Sequence, residues 1–290
     1  PWTFRPGGRC GTEVSDLLPH LRECMDDICV VRSLVGGNPN HAPAANHLFS
    51  GRIDQIHPSL GAWTSYGLGS ENRNLPTFVS LGKGSTASRY VRSGFLPGEF
   101  QGTPINAAGK TPEEMVRNLR SPGLSREQQR RQLEFIQTLN RNHRRLSGAD
   151  AALDARIQAM ETAFRMQFSA GEALDLNSER KSVRNAYGDG WFANACLLSR
   201  RLVERGVRYI HVEHSRWDDH DNITREIPRH CKEVDQPMAA LVKALRSGDL
   251  DRIATVGDGG VVCPNAVAAS RDRTQRILVN FIKLPSTMIC

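Results

Sequence analysis

His211, His214, Asp218, Asp219, His220 and Asp221 crowd into one short stretch of the chain, Val207–Asn222, which reads VRYIHVEHSRWDDHDN. Imidazole nitrogens and carboxylate oxygens are the donors a divalent metal takes, and they serve only when the fold makes them converge on one point. The same composition also describes a solvated polar loop with incidental histidines, and the residues alone leave both readings standing. What must position these groups is legible just upstream. Val207–Val212 is β-branched and aromatic and follows Gly206 at the end of a helical pattern, so it is expected to be a strand. A loop leaving the carboxyl end of an α/β strand is where such folds place chemistry.

On either side of that strand the pattern is helical. Gly190 to Glu204 is expected to be a buried helix carrying Phe192, Cys196, Leu197 and Val203, and Ile223 to Arg246 a helix interrupted or restarted near Pro228 and Pro237. His211, within an apolar strand, is expected to be a core histidine, and His214 to reach a metal or its outer partners. His20, His143 and His230 fall in helical patterns and are expected at the surface, and His57 before Pro58 in a turn.

Earlier in the chain, Ser15 is expected to cap a helix through Asp26, followed by an inner strand at Ile28–Leu34. A helix from about residue 41 to Phe49, a second from Ser59 to Leu68 and a strand at Thr77–Leu81 come next. The Gly-, Ser-, Pro- and Asn-rich run 82–109 reads as a long surface excursion. Residues 111–187 are expected to form a helical insertion that caps the sheet. It has N-caps at Thr111 and Ser125 and a core stripe Leu153, Ile157, Met160 and Phe164. Strands alternating with helices make the fold class α/β, a mostly parallel central sheet flanked by helices.

Composition narrows the functional classes. Hydrophobic residues make up 39% and charged residues 24%, as in an ordinary globular protein, and no run is long and apolar enough for a membrane span. Of the formal charge of +7, much is concentrated in the segment 117–145, where Glu and Gln are interleaved at helical spacing. That pattern is a solvated face, and without an accompanying aromatic or glycine module it gives no nucleic-acid site. Seven scattered cysteines contain no C-x-x-C pair and argue against a disulfide framework.

Trp217-Asp218-Asp219-His220-Asp221-Asn222 resembles the W-D-x-H-x-N signature of the family known as domain of unknown function 1501, and Leu202–Arg208 is similar to the helix–strand junction that introduces it. The resemblance runs from about Pro1 to Asp249. It implies membership of the alkaline-phosphatase and sulfatase superfamily and an alkaline-phosphatase-like sheet. It also implies Asp218 and His220 as ligands of a divalent metal (zinc, calcium or magnesium), with His214 and Asp219 as outer partners. The implied activity is hydrolysis of a phosphate or sulfate ester of a small molecule or glycan, in the periplasm or outside the cell. The alternative is a non-catalytic relative that binds an anionic glycan or a protein partner in the same pocket.

His41–Arg52, HAPAANHLFSGR, is similar in spacing to the sulfatase nucleophile motif: Pro43, Leu48, Gly51 and Arg52 match, and Ser50 stands at the Thr. It departs where His41 takes the nucleophile's place and Ala45 that of an Arg, so formylglycine chemistry is excluded there. His41 is then expected as a metal ligand, a general acid–base or a phosphate-accepting imidazole, with Asn40 orienting an anionic oxygen, the alternative being that both merely cap the helix and fill its entry turn. Residues 1–250 are expected to be a partial domain and 251–290 an aberrant, poorly ordered tail, since the family's later ligand motifs do not follow. With two ligands from one loop, the chain as it stands is expected to be inactive and marginally soluble.

Overall fold

In the computed structural model the described residues are 2–31, 37–53, 56–84, 91–117, 119, 123–148, 150–215, 217 and 219–247, with the short stretches 255–256, 261–262 and 278–282. A hairpin of β1 (Phe4–Gly7) and β2 (Thr12–Ser15) opens the chain and leads to α1 (Pro19–Arg22). The helix expected from Ser15 is therefore shorter, because Ser15 is paired with Phe4 in the hairpin and Pro19, which lacks an N–H, suits only a helix's first turn. Of the strand expected at Ile28–Leu34, Val30 makes an isolated bridge and residues 32–36 lie outside the described residues. Two helices follow, α2 (His41–Ser50) and α3 (Leu60–Leu68), the latter capped by the Ser59 hydroxyl, which accepts from the Ala62 N–H.

The sheet is parallel. β3 (Phe78–Gly82) lies between β4 (Thr103–Asn106) and β5 (Tyr209–Glu213), and β8 (Leu278–Ile282) continues the order on the far side of β5. Two further strands of two residues each, β6 (Thr255–Val256) and β7 (Val261–Val262), form a separate antiparallel pair. β4 falls inside the run read as a surface excursion. Its sequence TPIN carries one apolar side chain and a Pro tolerated on an edge strand, too little pattern to stand out, yet Ile105 is buried.

Side-chain alternation divides β3 and β5 between two layers. Val79, Leu81, Ile210 and Val212 join the main core, together with α8 (Trp191–Glu204) and α9 (Ile223–Arg246). Phe78 and Tyr209 pack edge to face on the other side, where α3 lies; the ring of Phe78 sits so close to Gly61 that a Cβ there would stand 2.6 Å from it. On that same side Phe49 of α2 meets His211 edge-on, with ring centroids 5.0 Å apart. Gly206, at φ 86°, makes the tight reversal from α8 into β5 that a side chain would strain.

The insertion comprises α4 (Pro112–Met115), α5 (Arg126–Ser147), α6 (Ala151–Leu174) and α7 (Lys181–Tyr187). The capping box expected at Thr111 is half made, since Thr111 caps α4 but Glu114 accepts from the Lys110 N–H; a full box forms instead at α5, between Ser125 and Gln128. The stripe assigned to the core differs. Met160 is 64% exposed and Leu153, Ile157 and Phe164 are half-buried, while Met166, Ala170, Ala173 and Leu174 of the same helix are buried. Small residues near the carboxyl end let α6 approach α8 closely, so the core side begins one turn later than the bulky residues suggest. No described helix is long and apolar enough to cross a membrane. Among the described residues Cys10, Cys24, Cys29, Cys196 and Cys231 are free thiols.

α9 runs through both prolines without a break. Each forfeits one helical hydrogen bond, which burial of Ile227, Cys231, Val234, Met238 and Leu241 against α8 and the sheet outweighs. Asp235 fixes the helix further, accepting from the His20 and Leu21 N–H groups at 2.9 and 2.8 Å and so capping α1 from a distant part of the chain. A buried ion pair ties the insertion to α8. Arg201 donates to Glu179 and to the carbonyls of Ala173 (2.9 Å) and Glu172 (2.7 Å), and Arg200 adds a second donor to Glu179 at 2.8 Å. Burial raises the Glu179 carboxyl, but the two guanidinium partners outweigh it and hold it below the usual range.

Removing one member of such a pair strands the other charge. Glu179→Gln is expected to cost about 3–5 kcal/mol at pH 7 by denaturant unfolding. Because the folded carboxyl titrates below the unfolded one, the gap between wild type and variant is expected to narrow as pH falls below 4.5; a gap independent of pH would contradict the pairing. His211 titrates in a separate window. Burial lowers its pKa from 6.5 to about 3, so the unfolded chain binds a proton across that range that the folded chain does not. Stability is expected to be full above pH 6.5 and to fall as pH drops through the window, and His211→Leu to flatten that slope.

Candidate metal centre

Where β5 ends, the chain turns back toward α8 and α9, and the groups that meet there come from all three elements. The His214 ring stacks on Trp191 at 5.4 Å and 19°, meets Phe192 edge-on at 5.1 Å and leans on Trp217 at 5.4 Å. Trp217 in turn lies 5.1 Å from the ring of His230, which is 5.7 Å from that of His214. The two imidazoles are thus held in an aromatic box, 4% and 1% exposed. Aromatic contacts of this kind fix ring orientation as well as burying area.

α9 supplies the carboxylates. Glu226, His230 and Glu233 stand four and three residues apart, which puts them on one helical face. His214 Nε2 is 3.0 Å from Glu233 Oε2, and His230 Nε2 is 3.4 Å from Asp219 Oδ2. Two overlapping sets result, His214 with His230 and Glu233, and Asp219 with Glu226 and His230; within each, ligand-capable atoms lie within 4.8 Å of one another. Arg229 braces the rim by pairing with Glu226 at 2.7 Å and Glu233 at 3.0 Å. Burial pushes the His214 imidazole below its usual pKa, against the opposing hydrogen bond to the Glu233 carboxylate, and so favours the uncharged ring, the form that ligates a metal.

The donor set fits a divalent ion. Two neutral imidazoles and a carboxylate are what a catalytic zinc takes from a protein, leaving a further position open. Two buried ring nitrogens point the same way. His214 Nδ1 and His230 Nδ1 have no hydrogen-bond partner among the described residues, although such atoms are normally satisfied when buried.

The residues singled out in the sequence fall unevenly around this centre. His214 and Asp219 are in it. Asp218 lies outside the described residues, between Trp217 and Asp219, which both do contribute. His220 is exposed on the same loop. Asn40 and His41 are exposed at the start of α2, a helix that packs through Phe49 on the opposite face of β5. His230, expected at the surface, is instead one of the most buried side chains, and Glu226 and Glu233 were not singled out at all. The available signal was their shared helical face immediately after the loop; a helix thought to break at Pro228 concealed it.

No curated protein and no solved structure matches the chain. A family model described as protein of unknown function (DUF1501) matches residues 1–259, carrying the similarity ten residues past the end of the region read from the motifs. With most of its length so matched, and with the W-D-x-H-x-N loop lying against the imidazole pair, the chain belongs to the DUF1501 family.

Proposed function

We propose that this chain is a divalent-metal hydrolase of phosphate or sulfate esters, acting on a small-molecule or glycan ester in the periplasm or outside the cell. The observation that carries the reading is the buried pair His214 and His230 with Glu233, whose ligand atoms lie within 4.8 Å of one another. In this reading those three hold the ion, Asp219 and Glu226 orient His230, and Asp218 and His220 add donors from the same loop. Zinc, magnesium or calcium bound there supplies polarisation of the ester and activation of water. Trp191, Phe192 and Trp217 keep solvent from the inner side and fix the imidazole planes. Asn40 and His41, exposed at the start of α2 on the other face of β5, are given no contact with this ion. The alkaline-phosphatase-like arrangement of the sheet belongs to the same proposal, supported by the parallel β4-β3-β5 order with helices on both faces.

The expectation of an inactive chain rested on two ligands from one loop and on the family's other ligand motifs not being found; only the first ground is answered by the structure. His230 and Glu233 bring donors from a second element, so that count no longer argues against turnover. One observation favours the other reading, a non-catalytic relative that binds an anionic glycan or protein. Arg229 already pairs with Glu226 and Glu233, leaving the carboxylates partly neutralised without an ion.

Titrating the purified chain with zinc, magnesium and calcium, and assaying p-nitrophenyl phosphate and sulfate with each, separates the two. The hydrolase reading expects one tightly bound ion and turnover that a chelator abolishes. His230→Asn is expected to lower metal affinity by about tenfold or more while the fold, followed by circular dichroism, is kept. A folded chain that takes up no ion would establish the binding relative instead, and stoichiometric metal without turnover on either ester would end the hydrolase assignment.

A further inference from the structure

A second feature lies at the other end of the strands. At the amino-terminal edge of β3 and β4, beside Thr77 and Thr103, a cleft of about 790 Å³ opens between the carboxyl end of α3, the turn Gly98–Phe100 and α6. Three arginines line it, Arg73, Arg117 and Arg165, against one carboxylate, Glu99. Arg165 is steadied by donating to the Arg73 carbonyl at 2.8 Å and by Glu161. Arg73 and Arg117 are exposed, and among the described residues neither has an ion-pair partner.

Leading up to the cleft is a row of aromatic rings. Phe95, Trp63, Tyr66 and Phe100 follow one another with centroid separations of 5.7, 6.0 and 5.2 Å, and Phe100 lines the cleft itself. Phe95 is 65% exposed, Tyr66 55% and Trp63 44%, with Leu60 and Leu68 of α3 exposed beside them. Isolated exposed apolar residues are common, but a contiguous row of this kind marks a binding surface.

We propose that this row and the arginine cleft together form an accessory site for an anionic polysaccharide. Flat apolar faces of the sugar rings would lie on Trp63, Tyr66 and Phe95, and sulfate or carboxylate substituents would enter the cleft. There the planar guanidinium groups offer forked donors that match an oxyanion. Two other occupants fit less well. A second copy of the chain docked through the same face would set arginines against arginines across the twofold, with Glu99 as the one carboxylate in the lining to answer them. Single-stranded nucleic acid needs a positively charged groove that tracks its backbone past the stacking rings, whereas the three arginines here gather in the cleft at one end of the row. The site stands on the opposite edge of the sheet from the metal centre and does not depend on it.

Affinity electrophoresis of the whole chain in gels containing dextran sulfate, neutral dextran or oligo-dT tests this directly. The wild type is expected to be retarded by dextran sulfate and not by dextran. Arg73→Ala/Arg117→Ala should weaken retardation at least tenfold and Trp63→Ala several-fold, while the control Arg130→Ala/Arg131→Ala on α5 stays within twofold. Phe95→Ala, at the most exposed ring, repeats the aromatic arm should Trp63→Ala unfold. Equal loss in the α5 control, or no loss in the cleft variant, would overturn the proposal as general basic attraction. Tighter retardation by oligo-dT with the same dependence on Trp63 would overturn it in favour of nucleic acid. A dimer in sedimentation that Trp63→Ala dissolves would assign the face to self-association instead.

Discussion

The packing of five rings, Trp191, Phe192, His214, Trp217 and His230, is the contact on which the candidate centre depends. It joins three successive elements: the start of α8, the loop leaving β5 and the first half of α9. Buried imidazoles are costly unless their nitrogens are engaged. A fold that places two of them in an aromatic box, with a carboxylate 3.0 Å from one and another 3.4 Å from the second, has fixed their position at the expense of solvation. For His214 that burial lowers the imidazole pKa.

α9 makes the box possible. One face of the helix buries Ile227, Cys231, Val234, Met238 and Leu241, and the turns between present Glu226, His230 and Glu233 to the loop. Its interior prolines cost hydrogen bonds, yet the helix is held from outside by α8 and by the Asp235 cap on α1. Rigidity in α9 therefore translates into ligand geometry, since carboxylates on a fixed helix are more precisely placed than those on a loop.

Much of the frame was legible in the sequence. The strand at β5, the buried helix before it and the capping box of α5 all follow from local pattern: β-branched runs, a glycine at the reversal, and Ser and Gln three residues apart. Lost from view were features decided by tertiary contact. β4 has one buried apolar residue in four and is a strand because β3 offers it a parallel partner. Residues 12–15 pair in a hairpin instead of starting a helix. In α6 the small residues, not the bulky stripe, face the core. His230 was expected at the surface because it falls in a helical pattern, and only the packing of α9 shows which side of that helix it takes. The loop with Asp218, Asp219 and His220 was conspicuous from composition, while the groups gathered opposite it on α9 required the third dimension.

The central claim is that His214, His230 and Glu233 hold a divalent ion. A zinc-edge anomalous difference map from crystals grown with zinc tests it most directly. One peak about 2.0–2.2 Å from an imidazole nitrogen of each histidine and from a Glu233 oxygen is the result the account predicts. An intact aromatic box with no peak between α9 and the loop after β5, or a peak bound elsewhere, would contradict it.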